Sequence, residues 1–212
     1  MPGKTHPAAR PVGRLHRKKV RAATVRPAAT VDSAVRAALR PRVRIRTADP
    51  DDRDVLIALR RQAEQIHARL MPDYFRLSPE RELGSRVANI GDAATVTLVA
   101  RARADETVLG YVTVKIVDTP RDPAMTPRRR AHVETVVVDE RHRGGGIGTA
   151  LMRAAADWAR RRQATELVLT VWSDNAAAEA LYRRLGYQPI ARVLRQRLDE
   201  RGRARPPAGP PR

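Results

Sequence analysis

The sequence predicts an α+β protein: a mixed, mostly antiparallel sheet of six or seven strands, flanked by about four helices, with a central β-α-β unit. Two observations predict it. Segments with the period of a half-buried strand alternate with segments of helical period, in the order β-α-α-β-β-β-α-β-α-β. Within that order only the segments around 131–171 are read as a β-α-β crossover, expected to be right-handed and parallel; the other strands are expected to pair antiparallel.

Each element has its own reason. Val43–Thr47 is short and β-branched. Asp51–Leu70 places Val55, Leu59, Ala63, Ile66 and Leu70 at helical spacing, with Asp49 or Asp51 as the capping carboxylate. Ser78–Ile90 reads as a second helix, Ser78 capping it and Pro79 taking the first helical position. Thr95–Ala102 and Val108–Asp118 read as a hairpin. In its second strand Val112, Val114 and Ile116 share one face, and Thr113 and Lys115 the other. A Pro- and Arg-rich loop, Thr119–Arg130, leads to a strong strand, Ala131–Val138. Gly146–Arg162 follows as a helix with a stripe of Ile147, Leu151, Ala154 or Ala155, and Trp158. Glu166–Val171 is a strand, Ala176–Leu185 a short helix with Ala178, Leu181 and Leu185 inward, and Gln188–Leu198 a closing strand.

The length, 212 residues, suits one domain or a small pair, and apolar residues make up 42%. Aromatics are only 3%, so the core is expected to be aliphatic. The chain has no cysteine, which excludes disulfides, thiolate metal sites and cysteine nucleophiles. The five histidines, at 6, 16, 67, 132 and 142, show no metal-ligand spacing, so no metal is expected. No apolar run approaches the ~20 residues of a membrane span. The N-terminus lacks the apolar stretch of a secretory signal, and a cytoplasmic location away from membranes is expected.

The net charge of +19 is unevenly spread: residues 1–46 carry +12, residues 47–198 only +5, and residues 199–212 carry +2. Arg outnumbers Lys by 38 to 4, as a GC-rich coding sequence favours, so part of the charge is compositional. Residues 1–41, punctuated by Pro2, Pro7, Pro11, Pro27 and Pro41, read as a disordered basic tail, and residues 199–212 as a second tail. The domain expected between them is 42–198. For the first tail, a solvated segment, a nucleic-acid contact, an Arg-rich targeting sequence and a true start further along all remain open.

The segment richest in chemistry is Val136-Val-Val138-Asp-Glu-Arg-His-Arg143-Gly144-Gly145-Gly146-Ile147-Gly148-Thr149. A buried strand ends, glycines follow, and a helix begins among them. Free N–H groups and the helix dipole make such a place an anion site, with Arg143 beside it. A P-loop is excluded because no Lys follows the glycines. The dinucleotide fingerprint G-x-G-x-x-G fails at Thr149 in one register and at Leu151 in the other. A tight turn without a ligand is the alternative.

These residues carry a resemblance. Arg143-x-x-Gly146-x-Gly148 is similar to the (Arg/Gln)-x-x-Gly-x-(Gly/Ala) signature of the GNAT superfamily of N-acetyltransferases. Val171-Trp-Ser-Asp-Asn175-x-x-Ala178-x-x-Leu181-Tyr182-x-x-Leu185-Gly186-Tyr187 resembles the second half of that family's cofactor site. The opening Val43-Arg-Ile-Arg-Thr-Ala-Asp is also similar to many members. The resemblance covers residues 43–198.

The resemblance implies that acetyl-CoA binds as co-substrate in a V-shaped opening between Ala131–Val138 and Glu166–Val171. Val136 and Val138 would flank the pantetheine, and the amides from Arg143 through Gly144, Gly145, Gly146, Ile147 and Gly148 to Thr149 would hold the pyrophosphate. Asn175 would help hold the pantetheine side. An amine would attack the thioester directly, with the Val138 N–H facing the oxyanion and Tyr182 as general acid. Strict alternation along the strand would put His132, Glu134, Val136 and Val138 on one face, so that Glu134 or His132 takes the amine's proton; a salt bridge is the competing role for both. The linker Asp73-Tyr74-Phe75 and Trp172 would flank the acceptor, and Arg128, Arg129 and Arg130 would attract an acidic one unless they merely form a solvated face. The acceptor would be a protein N-terminus, a lysine or a small amine. The chain shows one strand after Tyr187 where many members have two, which leaves a strand from a second copy, and hence a homodimer, open. Two readings of other classes stand beside the enzyme: an acetyl-CoA-binding sensor or interaction module of the same fold, and a nucleic-acid binder acting through residues 1–41.

Overall fold

A computed structural model describes residues 43–87, 93–119, 123–124, 126–196 and 198. The two expected tails, 1–41 and 199–212, and the end of the expected helix at 88–90 lie outside the described residues.

The chain runs through β1 (Val43–Thr47), a short 3-10 turn, α1 (Arg53–Leu70), α2 (Glu80–Arg86), β2 (Thr95–Ala102), β3 (Val108–Asp118), β4 (Arg129–Val138), a second 3-10 turn, α3 (Ile147–Arg161), β5 (Glu166–Leu169) and α4 (Ala176–Arg184). The sheet order is β1-β2-β3-β4-β5. The first three pairings are antiparallel, and β4–β5 is parallel through the α3 crossover. This is the predicted mixed sheet with four flanking helices and one β-α-β unit. One face is covered by α3 and α4, whose Ile147, Leu151, Ala155, Trp158 and Tyr182 pack on Val112, Val114 and Ile116 of β3. The other face is covered by α1, whose Leu56 and Leu59 meet Val99, Tyr111 and Val137. Because β3 faces both layers, its two side-chain rows serve both cores.

The described sheet has five strands rather than six or seven. Residues 188–196 form no ladder, and Leu198 makes an isolated bridge only. The reason is in the pattern. Ile190, Leu194 and Leu198 would share one face, but Arg192 and Gln196 interrupt that row and Val193 falls on the other, so neither face is continuously apolar, and Pro189 lacks an N–H for a ladder. Ile190, Val193 and Leu194 are 77%, 98% and 90% exposed.

Two caps also differ from expectation. Ser78 does not cap α2, which starts after Pro79. Its N–H and hydroxyl instead donate to the buried Glu64 of α1, at 3.0 and 2.9 Å, tying the chain back onto that helix. Asp49 caps the 3-10 turn that precedes α1, in a reciprocal box with Asp52.

A β-bulge shapes β4. Thr113 pairs with Thr135 but Val114 pairs with Val133, so Glu134 is an extra residue on β4. The alternation is therefore reset. Ala131 and Val133 face α3, and so do Val136 and Val138, whereas Val137 faces α1. The expected shared face of His132, Glu134, Val136 and Val138 does not exist: His132 lies on the α1 side, and Glu134 sits at the bulge, exposed.

Asp52 fastens the start of α1 to the sheet. It is 1% exposed and accepts from Arg46 of β1 at 2.9 Å and from Arg101 of β2 at 2.8 Å. Burial alone raises its carboxyl pKa. The hydrogen bonds from Arg101, the Asp49 N–H and Arg46 outweigh that and leave it below the ordinary 3.8. A depressed carboxylate pKa gives stability that is complete above the unfolded value and is lost as pH falls through the folded one. Asp52→Asn should therefore cost about 2–4 kcal/mol in urea unfolding at pH 7, because two arginines lose their buried partner. Below pH 3.8 the difference from wild type should shrink.

Candidate functional site

The site begins where β4 and β5 part. Their parallel ladder runs from Arg130–Glu166 to Val133–Leu169 and stops, while β4 continues to Val138. From Glu134 onward β4 is paired on its β3 side only. The Asp139 N–H donates to Leu109 O across β3 at 2.9 Å. Neighbouring N–H groups of a strand point to opposite edges, so that of Val138 points to the edge β5 has left. The Val138 carbonyl shares that edge and accepts from Arg143 Nε at 3.1 Å. Gly110 keeps β3 tight here: a Cβ on it would stand 2.5 Å from Val137 O and 3.1 Å from Val138 Cα.

Past Val138 the chain turns into the glycine loop. Gly144 and Gly146 have φ of +80° and +81°, conformations that disfavour any other residue, and Gly146 is the N-cap of α3. The first intrahelical bond is Ala150 N–H to Gly146 O at 3.0 Å, so the amides of Ile147, Gly148 and Thr149 precede the helix ladder. The first turn holds no acidic residue, and no side chain caps it. The loop is anchored by Asp139, which is buried. Its carboxylate accepts from Arg141 Nε and Nη2, both at 3.1 Å, from the Arg141 N–H at 3.0 Å, and from Gln62 of α1 at 3.3 Å. The Arg141 bonds hold it well below the usual carboxylate range against the opposing effect of burial. Gln62 also accepts from the Glu140 N–H at 3.2 Å. On the loop's outer side lies an open cleft of about 960 Å³, lined among others by Arg103, Arg141, Arg143 and Gly145.

The second half of the site is α4. Asn175 is its N-cap, with Oδ1 accepting from the Ala178 N–H at 3.2 Å. A Cβ on Gly148 would be 3.2 Å from Leu181, so glycine lets α3 and α4 approach beside Val138. Tyr182 is buried in the same cluster that Val136 and Val138 pack against. Its ring lies 5.6 Å from that of Tyr187, and its hydroxyl has no hydrogen-bond partner among the described residues. Burial pushes its pKa up, so the phenol stays protonated at neutral pH.

The expected acceptor residues come together in part. Trp172 lies 5.5 Å from Tyr74 and 5.0 Å from Phe75, ring to ring, although the chain separates them by almost a hundred positions. Asp73 is exposed in the same linker. The expected free arginines are otherwise engaged. Arg128 and Arg130 both pair with Glu166, Arg130 at 2.8 Å, and Arg129 pairs with Asp118 at 3.1 Å; Arg129 and Arg130 are already part of β4. They clamp the start of β4 to its neighbours and offer no free charge to an acidic acceptor. Sequence reasoning missed Asp139, Gln62, Gly110 and His67. An acid just before a glycine run was a usable signal for Asp139. Gln62 and His67 act from a distant helix, which one sequence cannot announce.

A profile of the Acetyltransferase (GNAT) family matches residues 63–187, more than half the chain, and the chain belongs to that family. It is 49% identical over 59 residues to streptothricin acetyltransferase of Streptomyces lavendulae, covering 28% of this chain and 31% of that protein. It is 36% identical over 96 residues to the N-alpha-acetyltransferase RimI of Mycobacterium tuberculosis, covering 45% of this chain and 54% of that one. The chain thus spans about half or less of the length of these curated relatives. The crystal structure of a mutant of the BH1408 protein from Bacillus halodurans superposes with a TM-score of 0.69 at 29% identity, over 73% of this chain and 99% of that one. The crystal structure of a predicted acetyltransferase with acetyl-CoA from Clostridium acetobutylicum, at 18% identity and a TM-score of 0.57, shares the fold over 73% of this chain and 96% of its own. Among the described residues no group of His, Cys, Asp and Glu is arranged to hold a metal, and no helix is long and apolar enough to cross a membrane.

The close approach at Gly110 is directly testable. Gly110→Ala should drive β3 from β4 at Val137 and lower stability by about 1–3 kcal/mol in urea unfolding. Amide exchange should speed at Asp139, whose N–H bonds to the next residue, Leu109.

Proposed function

We propose that this chain transfers the acetyl group of acetyl-CoA to a primary amine within a ternary complex. One observation carries the reading: the strand edge freed by β5 leads, through one 3-10 turn, into a glycine helix start that has no acid in its first turn. A pantetheine arm has amides to pair with a strand edge, and a pyrophosphate has charge for a helix start. The donor set, backbone amides beside Arg143, fits a phosphate and asks for no metal.

The roles follow. Arg143, Gly144, Gly145, Gly146, Ile147, Gly148 and Thr149 hold the pyrophosphate, and the arginine-lined cleft beside them suits further phosphate. Val136 and Val138 line the thioester arm, and the outward N–H of Val138 stabilises the oxyanion. Asn175, besides capping α4, has its Nδ2 left to donate toward the arm. Tyr182 donates its proton to the departing thiolate; its hydroxyl is unengaged and stays protonated through neutral pH. Glu134, exposed at the bulge where the strands part and free of ion pairs among the described residues, accepts the amine's proton. His132, two residues earlier and on the α1 face, is the second candidate. The acceptor is a protein N-terminus, a lysine or a small amine; the relatives named N-alpha- and streptothricin acetyltransferase support this range.

Thermal melting of the full chain with acetyl-CoA tests the cofactor. A hundredfold excess over Kd stabilises by about 2.7 kcal/mol, an upward shift of several degrees. Gly145→Glu, at a loop position with room for a side chain and no positive φ, sets a carboxylate beside the loop amides and should abolish it, and no wild-type shift at millimolar acetyl-CoA overturns the reading. For the acid, Tyr182→Phe should lower kcat about a hundredfold and leave the acetyl-CoA melting shift unchanged. An unaltered kcat removes Tyr182 from the chemistry.

A further inference from the structure

The chain has few aromatic residues, seven in all: two Trp, four Tyr and one Phe. Tyr111, Trp158 and Tyr182 are buried in the cores, and Tyr187 packs against one of them. The remaining three, Tyr74, Phe75 and Trp172, belong to neither core yet are gathered into one cluster. Phe75 also stacks on His67 of α1 at 5.1 Å. Tyr74 and Trp172 remain 45% and 36% exposed, so the cluster presents ring surface to solvent. A protein with so few aromatics has no packing need to spend three of them there.

The cluster stands beside the parted strands. Arg60 of α1 donates to Thr135, just past the bulge on β4, at 2.8 Å. His67 lies two turns further along α1, about 10 Å. Trp172 follows the last residue of β5 by three positions. The aromatic surface therefore bridges the two sides of the opening on the α1 face. That surface already holds a cation: the guanidinium of Arg195 lies 4.6 Å from the centre of the Tyr74 ring. Arg195 is exposed and comes from the segment that joins no ladder. It makes no hydrogen bond or ion pair among the described residues. A guanidinium with water freely available rests on this ring, which is the behaviour of a cation–π site.

We propose that Tyr74, Phe75 and Trp172 form a subsite for a second, cationic group of the acceptor, a guanidinium by preference, and that Arg195 is its built-in competitor. The inference rests on the acetyl-transfer reading only for the use made of the acceptor's amine; binding of the cation does not depend on it. Guanidinium is favoured because it is planar and weakly hydrated and stacks on rings as a compact ammonium does not.

The probes are argininamide and citrullinamide, which share a reactive α-amine and differ only in guanidinium against its neutral isostere. Tryptophan fluorescence of the full chain, titrated without acetyl-CoA, reads binding through Trp172. Argininamide should bind about threefold or more tighter than citrullinamide. Arg195→Ala should tighten argininamide by a similar factor, and Tyr74→Leu, at an exposed position, should weaken it. With acetyl-CoA present, the same ordering should appear in KM. Equal binding of the two amides, no response to either, or an unchanged argininamide Kd in Arg195→Ala each overturns the subsite. If the fluorescence ordering holds while no acetyl-CoA melting shift and no acetylated product form, the transfer reading fails and the subsite stands. If acetylation proceeds with equal KM for the two amides, the reverse is true.

Discussion

The architecture turns on one event, the loss of pairing between β4 and β5 after Val133. A strand that leaves its neighbour exposes backbone donors and acceptors at real cost unless something else takes them. Here β3 takes over the holding of β4. Gly110 lets the two backbones close to a distance no side chain would permit, and Asp139 extends the antiparallel bonding one residue past the strand's end. The extra residue at Glu134 adds local twist at the same level, which is what a bulge does. Divergence on one side is made possible by tighter attachment on the other.

The same logic fixes the glycine loop. Backbone with positive φ and unpaired amides has little to keep it in place, and the anchor is electrostatic. Asp139, buried and held ionised by Arg141, is reached from α1 by Gln62, which also takes the Glu140 N–H. The helix covering one face of the sheet thereby positions a loop that feeds the helix on the other face. Arg143 is left to cover the Val138 carbonyl, so the free edge of β4 keeps its N–H while its acceptor is satisfied.

Much of this was legible in the residues. Alternation and helical spacing located all nine strands and helices because both cores are aliphatic stripes of ordinary period, and the Arg143-x-x-Gly146-x-Gly148 pattern located the loop because few residues besides glycine tolerate the dihedrals it needs. What failed did so for physical reasons. A bulge is a pairing mismatch between two strands, so no inspection of β4 alone could show that His132 and Val136 end on opposite faces. Gln188–Leu198 has enough apolar residues for a strand, but Arg192 and Gln196 break the row of Ile190, Leu194 and Leu198. The arginines at 128–130 looked like a free charge run because their partners, Asp118 and Glu166, lie on other strands.

Arginine is so abundant that its presence at a position says little; its pairing says more. Arg46 and Arg101 converge on Asp52, Arg128 and Arg130 on Glu166, and Arg141 on Asp139, so buried or half-buried carboxylates are the centres around which elements are joined. Against that background an arginine that has solvent available and still lies on a tyrosine face is informative. Aromatics show the opposite economy: they are scarce, and scarcity makes their grouping at the mouth of the parted strands a matter of the site and not of the core. The two compositional extremes of this sequence meet at Tyr74 and Arg195, where the chain itself supplies both halves of a contact that an acceptor cation would otherwise complete.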